Sequence, residues 1–338
     1  MNEDTINAEK LSDYQKKGFR WLLFSVVLIF ILTTLISSNT DVDIVGTLKN
    51  GHPFWLTIGF TFMSCAFIFM SLRWISLMPN QKIRPPVFPT TGIICAGLLL
   101  NYAVPGPVGE FASAWFVHQK YEVKLSDSLA SGLSARFIGL LSSMIIGVLL
   151  WYFCVIPTPE KFENTIEILT WFIASLAASL IVLLILPHPK KWLHIEKIIP
   201  QTKRIVDGIS SFYESIQKTL WGNPRGLYLA IFWSICAHLV MVSGICCSVL
   251  AFGGEINFIG LLFTYTTTTA AAILLFALPG SYLGWDALFF ALLVSSAGLH
   301  APVAAAVALC TRIQQFIYMV LGGMMLGWLL HDSRSKIG

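Results

Sequence analysis

The sequence predicts an all-α polytopic membrane bundle of about six spanning helices, with two re-entrant helical hairpins in an inverted repeat. Three observations lead there. Of 338 residues, 56 % are hydrophobic and 12 % charged, a balance that ordinary soluble domains do not have. The apolar runs are long enough to cross a bilayer, which takes roughly 20 helical residues. One pattern also occurs twice. Pro105-Gly106-Pro107-Val108-Gly109-Glu110 is followed 26 residues after its acid by Arg136, and Pro279-Gly280-Ser281-Tyr282-Leu283-Gly284-Trp285-Asp286 is followed at the same interval by Arg312. Charge in so apolar a chain is costly, and the same charges at the same spacing indicate an internal duplication.

Residues 1–20 are polar and form an N-terminal segment. The apolar run from Trp21 reads as an uncleaved first span, because no small-x-small cleavage site follows it. A single membrane domain over 21–330 then contains segments at about 21–38, 54–78, 87–104, 107–119, 127–154, 166–187, 226–252, 258–278, 286–298 and 302–330. Two of these, 107–119 and 286–298, are too short to span. Thirteen residues at ~1.5 Å each cover about 20 Å, against a ~30 Å hydrocarbon core. Each follows a Pro/Gly break and reads as the returning arm of a re-entrant hairpin, giving repeat motifs over 87–154 and 258–330.

Charge placement supports that topology. With both hairpins re-entrant and six segments spanning, 17 of the 22 Lys and Arg residues fall on one side. Lys49 and Lys161 face the other side, and Arg73, Arg136 and Arg312 lie within the membrane. The positive-inside rule makes the crowded side cytoplasmic, with both termini and the tail 331–338 there. The first hairpin then enters from the cytoplasm and the second from outside, as in inverted-repeat transporters. In the alternative topology each long hairpin arm spans and the later loops invert. The loop 188–225 carries Ile and Phe residues at helical spacing among Lys and Arg. It reads either as an amphipathic helix on the inner leaflet or as a connector packed on the bundle.

Glu110 and Asp286 follow the hairpin turns, which are built on Pro105, Gly106 and Gly109 and on Pro279, Gly280 and Gly284. Arg136 and Arg312 lie about ten residues into their helices, ~15 Å deep, so all four charges are expected near the midplane. The functional reading is a polar cavity whose arginines bind a phosphate or other anionic headgroup through bidentate contacts. The structural reading is two ion pairs that pin the hairpins. Asn101, Gln314 and Gln315 are candidates for lining the cavity or joining helices. Arg73 either joins the site or snorkels to the interface. His238 is read as a packing histidine or a proton-linked residue, and the run Thr264–Thr269 as bonding its own helix carbonyls or lining a polar path.

Seven cysteines with no Cys-x-x-Cys pair support neither a zinc site nor a disulfide framework. No Gly-rich nucleotide loop, metal-spaced cluster or nucleophile elbow is present, so no cofactor, metal or catalytic residue is expected. With no basic tract interleaved with aromatics, nucleic acid is not an expected partner.

At Leu72-Arg73-Trp74, the Pro105-to-Glu110 turn, Leu129 to Arg136, Pro279 to Asp286 and Ala304 to Arg312, the chain resembles the lysylphosphatidylglycerol synthase transmembrane family of flippase-like proteins. The resemblance spans about 20–330. It implies a bundle with re-entrant helices that moves lipids between leaflets or serves lipid and glycolipid pathways, and a bacterial cytoplasmic (inner) membrane location. The soluble aminoacyl-transferase domain of larger members is not expected here. Pro107 and Ser113 stand where many relatives have arginine, Trp285 where Arg is common, and Asp286 where Glu is usual. The expected function is translocation of an anionic or glycosylated lipid. The alternative is a non-transporting partner that holds a lipid intermediate for an enzyme of lipid or glycan synthesis.

Overall fold

The computed structural model describes residues 20, 44–78, 84–103, 108–185, 213–275 and 281–335. Among them every regular element is helical: α1 (Ile44–Lys49), α2 (Pro53–Leu77), α3 (Val87–Ala103), α4 (Val108–Tyr121), α5 (Leu125–Phe153), α6 (Glu160–Ile185), α7 (213–221), α8 (Pro224–Ala251), α9 (Phe258–Leu275), α10 (Ser281–Ser295) and α11 (Ala301–Ser335). Five of these are long and apolar enough to cross a membrane: α2, α5, α6, α8 and the Ala301–Met325 portion of α11. The chain is an integral, polytopic helical membrane protein. These five match five of the six expected spans. The sixth expected span, 21–38, lies outside the described residues, as do Pro105, Gly106, Pro279 and Gly280.

Local chemistry explains most boundaries. Pro53 and Pro224 open α2 and α8, where a missing N–H costs nothing. Asn223 caps α8 by accepting from the Gly226 N–H at 3.0 Å. Gly253 and Gly298, at φ of +72° and +73°, follow the ends of α8 and α10 in the left-handed conformation that suits glycine there. Helix α6 begins six residues before the expected 166, because Glu160 and Glu163 favour its positive end and the helix runs past the apolar stretch. Helix α10 begins at Ser281 rather than 286, so Gly284 lies inside a helix rather than in a turn. At 14 and 15 residues, α4 and α10 are about 21 and 22 Å long, still short of a ~30 Å core.

Small residues let the helices approach closely, as packing in lipid requires. Helix α8 runs antiparallel to α2. The His52 N–H donates to the Ala251 carbonyl at 2.8 Å at one end, and the Asn223 amide donates to the Ser76 carbonyl at 3.3 Å at the other. Midway, a Cβ on Gly59 would lie 2.9 Å from the Gly244 carbonyl oxygen. Helices α3 and α4 pack through Gly97 and Gly109, where a Cβ on either would overlap the other's backbone.

The two short-helix units turn back at opposite ends of the bundle. A Cβ on Gly254, just after α8, would lie 3.0 Å from Val303 at the start of α11, so the α10–α11 junction shares the His52–Ala251 end. At the far end of α11, the Lys120 ammonium lies 3.7 Å from the centre of the Trp328 ring, which brings the α4–α5 junction to the Ser76–Asn223 end. That same end holds α7. Ile216 and Leu220 are buried against the bundle, and Trp221 donates to the Leu184 carbonyl at 3.2 Å. Of the two readings of the 188–225 loop, its described portion is therefore a connector packed on the bundle. Ile168, Trp171, Phe172 and Val182 on α6 point outward, an apolar face suited to lipid.

Candidate functional site

Arg73, Asn101, Glu110, Arg136, His238, Arg312, Gln314 and Gln315 converge on one cavity of about 380 Å³, lined by residues of α2, α3, α4, α5, α8, α9, α10 and α11. Arg136 and Arg312 are each the twelfth residue of their helices, α5 and α11, about 16 Å along each axis. Because those helices start from opposite ends, the two guanidinium groups reach similar depth from opposite directions.

The first pair is built on α3, α4 and α5. Arg136 forms an ion pair with Glu110, which lies in the first turn of α4 and gains from that helix's positive end. Asn101 organises this corner. Its amide nitrogen donates to Glu110 Oε1 at 3.1 Å, and its carbonyl oxygen accepts the Gly109 N–H at 2.7 Å. It thus caps α4 from the neighbouring helix while aiming the carboxylate.

The second pair encloses its arginine more fully. Arg312 donates through Nε to both Asp286 oxygens, at 3.0 and 3.1 Å, and its Nη2 also contacts Oδ1, so the fork is bidentate. Its Nη1 donates to Gln315 at 2.8 Å, and the Trp285 ring lies over the guanidinium at 5.5 Å. Trp285 is itself held by stacking on Phe289. Asp286 is the sixth residue of α10, past the first turn, so the helix-end support available to Glu110 does not extend to it. The side chain of Arg312 is 4 % exposed against 33 % for Arg136.

Arg73 joins the cavity rather than turning toward the bundle end. Trp74, beside it, donates to Ser131 at 3.1 Å, yet the Arg73 guanidinium rests two turns deeper along α5, on Gly139. His238 also lines the cavity. Its Nε2 lies 2.9 Å from Ser142 Oγ and 3.2 Å from the Gly139 carbonyl, while Nδ1 is buried with no partner. The threonine run divides. Thr266 and Thr268 donate to their own helix at 2.7 Å, Thr264 donates across to Leu292 on α10 at 3.1 Å, and Thr269 faces the cavity. Tyr265 and Ser113 also line it, and the sequence offered no signal for Tyr265 beyond its place in that run.

This arrangement brings Glu110, Arg136 and Arg312 to one cavity, with Asp286 held by Arg312. A model of the lysylphosphatidylglycerol synthase TM region matches residues 21–323. The chain belongs to that family. No curated protein and no solved structure matches it in comparison. In this member of the lysylphosphatidylglycerol synthase TM region family, Asp286 is the acid that pairs with Arg312. Trp285 covers the arginine, and Ser113 donates to the Ile93 carbonyl at 3.2 Å, joining α4 to α3. Trp285 and Ser113 are thus accommodated by packing and a neutral hydrogen bond.

Proposed function

We propose that the protein is a lipid translocase that moves an amphipathic phospholipid or glycolipid between leaflets, its headgroup passing through the cavity while the tails stay in the bilayer. The observation that carries this reading is the convergence of Arg136 and Arg312, each held by a carboxylate, on one cavity. Intramembrane charge of this kind is functional by default. The acids keep the arginines charged and oriented when the site is empty, and a headgroup phosphate competes for the same fork. Opposed short-helix units, one turning back at each end, suit an inverted repeat in which each half gates one side. On this reading Glu110, Arg136, Asp286, Arg312, Asn101 and Arg73 contact or position the headgroup. The membrane is the bacterial inner membrane with both termini cytoplasmic, and the family's link to a lipid synthase makes a lipid the natural cargo.

The unequal exposure of the two pairs favours a second reading, a non-transporting partner open on one side that holds a lipid for a separate enzyme. Purified protein in liposomes with a fluorescent lipid decides between them. A membrane-impermeant reductant bleaches the outer leaflet alone in empty vesicles. The translocase reading predicts near-complete bleaching when protein is present; bleaching that stops at the outer leaflet, with lipid still bound, leaves the partner reading.

A further inference from the structure

His238 lines the cavity midway along α8 and is 5 % exposed. Its Nε2 lies 3.2 Å from the Gly139 carbonyl, which can only accept, so Nε2 carries the ring hydrogen of the neutral imidazole. Ser142 Oγ, 2.9 Å from the same nitrogen, donates to that carbonyl at 2.8 Å and supports this tautomer from α5. The other nitrogen, Nδ1, is then a bare lone pair. It is buried and has no donor among the described residues. A histidine used only for packing ordinarily has both nitrogens satisfied, because an orphaned buried acceptor is costly. A proton is the ligand that fits a lone pair in so closed a place.

The charges around the imidazole decide when that proton binds. Arg73 of α2 comes to the same spot. A Cβ on Gly139 would lie 2.8 Å from its guanidinium carbon, and its Nη1 donates at 3.4 Å to Ser234, one turn before His238. Tyr265 of α9 presents a neutral ring, 5.9 Å between centroids, and the Tyr318 hydroxyl of α11 is engaged by Ser64 at 2.7 Å. The other charged groups on the cavity are in ion pairs, Arg136 of α5 with Glu110 of α4, and Arg312 of α11 with Asp286 of α10. Without a bound anion, a second positive charge beside Arg73 is unfavourable and His238 stays neutral. An anion on Arg73 removes that opposition. Anion and proton therefore favour each other's binding, by the same factor in both directions.

We propose that His238 is a proton-binding site that couples lipid movement to protons: Nδ1 takes one proton when an anionic headgroup meets Arg73, and the two are carried in the same direction. The inference rests on the translocase reading and gives it an energy source. The proton is taken from water on one side and released to water on the other. For a headgroup of one negative charge the loaded cavity gains no net charge, so a pH gradient drives the step and a membrane potential does not.

The test applies two measurements with phosphatidylglycerol to the purified full chain. Equilibrium binding in detergent is expected to tighten at least about tenfold between about pH 7.5 and about pH 5.5, a range in which histidine titrates. The lipid's phosphodiester stays ionised throughout. His238→Gln, whose amide replaces the Nε2 donor but takes up no proton, is expected to lose that gain, as is His238→Asn. In liposomes with an acidic exterior and a clamped potential, wild type is expected to enrich labelled lipid in the inner leaflet. The enrichment should approach about tenfold per pH unit at one proton per lipid, beyond any shift in protein-free vesicles. Binding by wild type that ignores pH overturns the inference without any variant. A gain that persists in either folded variant assigns the proton to Glu110 or Asp286 and overturns it too. Exchange that ignores the pH gradient overturns the coupling and leaves the translocase reading standing. A binding gain lost in the variants, with no exchange at any pH, upholds the proton site and refutes the translocase reading.

Discussion

Glu110 and Asp286 make the same kind of bond in different surroundings, and that difference sets what their loss should do. Arg312 is nearly closed off, so removing its partner leaves a buried charge, an effect of about 3–5 kcal/mol when a buried pair is broken on one side. Arg136 retains a third of its exposure and solvation to go with it. Asp286→Asn should therefore lower the unfolding temperature in detergent markedly more than Glu110→Gln. Equal shifts would mean that the two environments are alike. Asn101 has a distinct role, since it satisfies the α4 N-terminus and the Glu110 carboxylate at once. Asn101→Ala should destabilise by about 1–3 kcal/mol, the cost of orphaned buried groups. It should also slow exchange, because Glu110 loses the donor that aims it. The acids and arginines were legible because charge stands out in an apolar sequence. Arg73 was harder to place: position near a helix end suits snorkelling, and only the space left by Gly139, 66 residues on, turns it inward.

At the scale of elements, hydrophobic length found the helices and turn chemistry found their ends. Expected and observed bounds agree within about two residues for α2, α3, α5 and α8. The larger discrepancies have a common cause. Apolar counting stops at charges and glycines, whereas α6 continues through Glu160 and Glu163 and α10 through Gly284. The same counting could not identify Gly97 and Gly109 as a packing pair, since closeness between helices is not a property of either alone. Gly97→Leu should force α3 and α4 apart and abolish lipid exchange; a folded variant with wild-type exchange would show that this contact is dispensable. The two turning units also make a topological prediction. Lys124 and His300 are exposed, one at each junction. With opposed re-entrant hairpins, Lys124→Cys should react with an impermeant thiol reagent only from the cytoplasmic side, and His300→Cys only from outside, above the background of native cysteines. Labelling of both from one side would contradict the inverted repeat.

For the whole molecule, sequence alone fixes the class, because composition and span length leave no soluble alternative, and family membership agrees over 21–323. What one chain read in order does not provide is the meeting of eight helices around one cavity, where Thr269, Tyr265 and His238 from α8 and α9 join motifs elsewhere in the chain. The account stands on a claim about that cavity: a headgroup passes through it using both arginine–acid pairs, one from each repeat. The most direct measurement is leaflet exchange of a fluorescent phosphatidylglycerol in proteoliposomes, comparing wild type with folded, equally reconstituted Arg136→Ala and Arg312→Ala. Near-complete accessibility in wild type, with at least a tenfold slower rate in each variant, is the predicted result. Wild-type exchange surviving either substitution unchanged would contradict it.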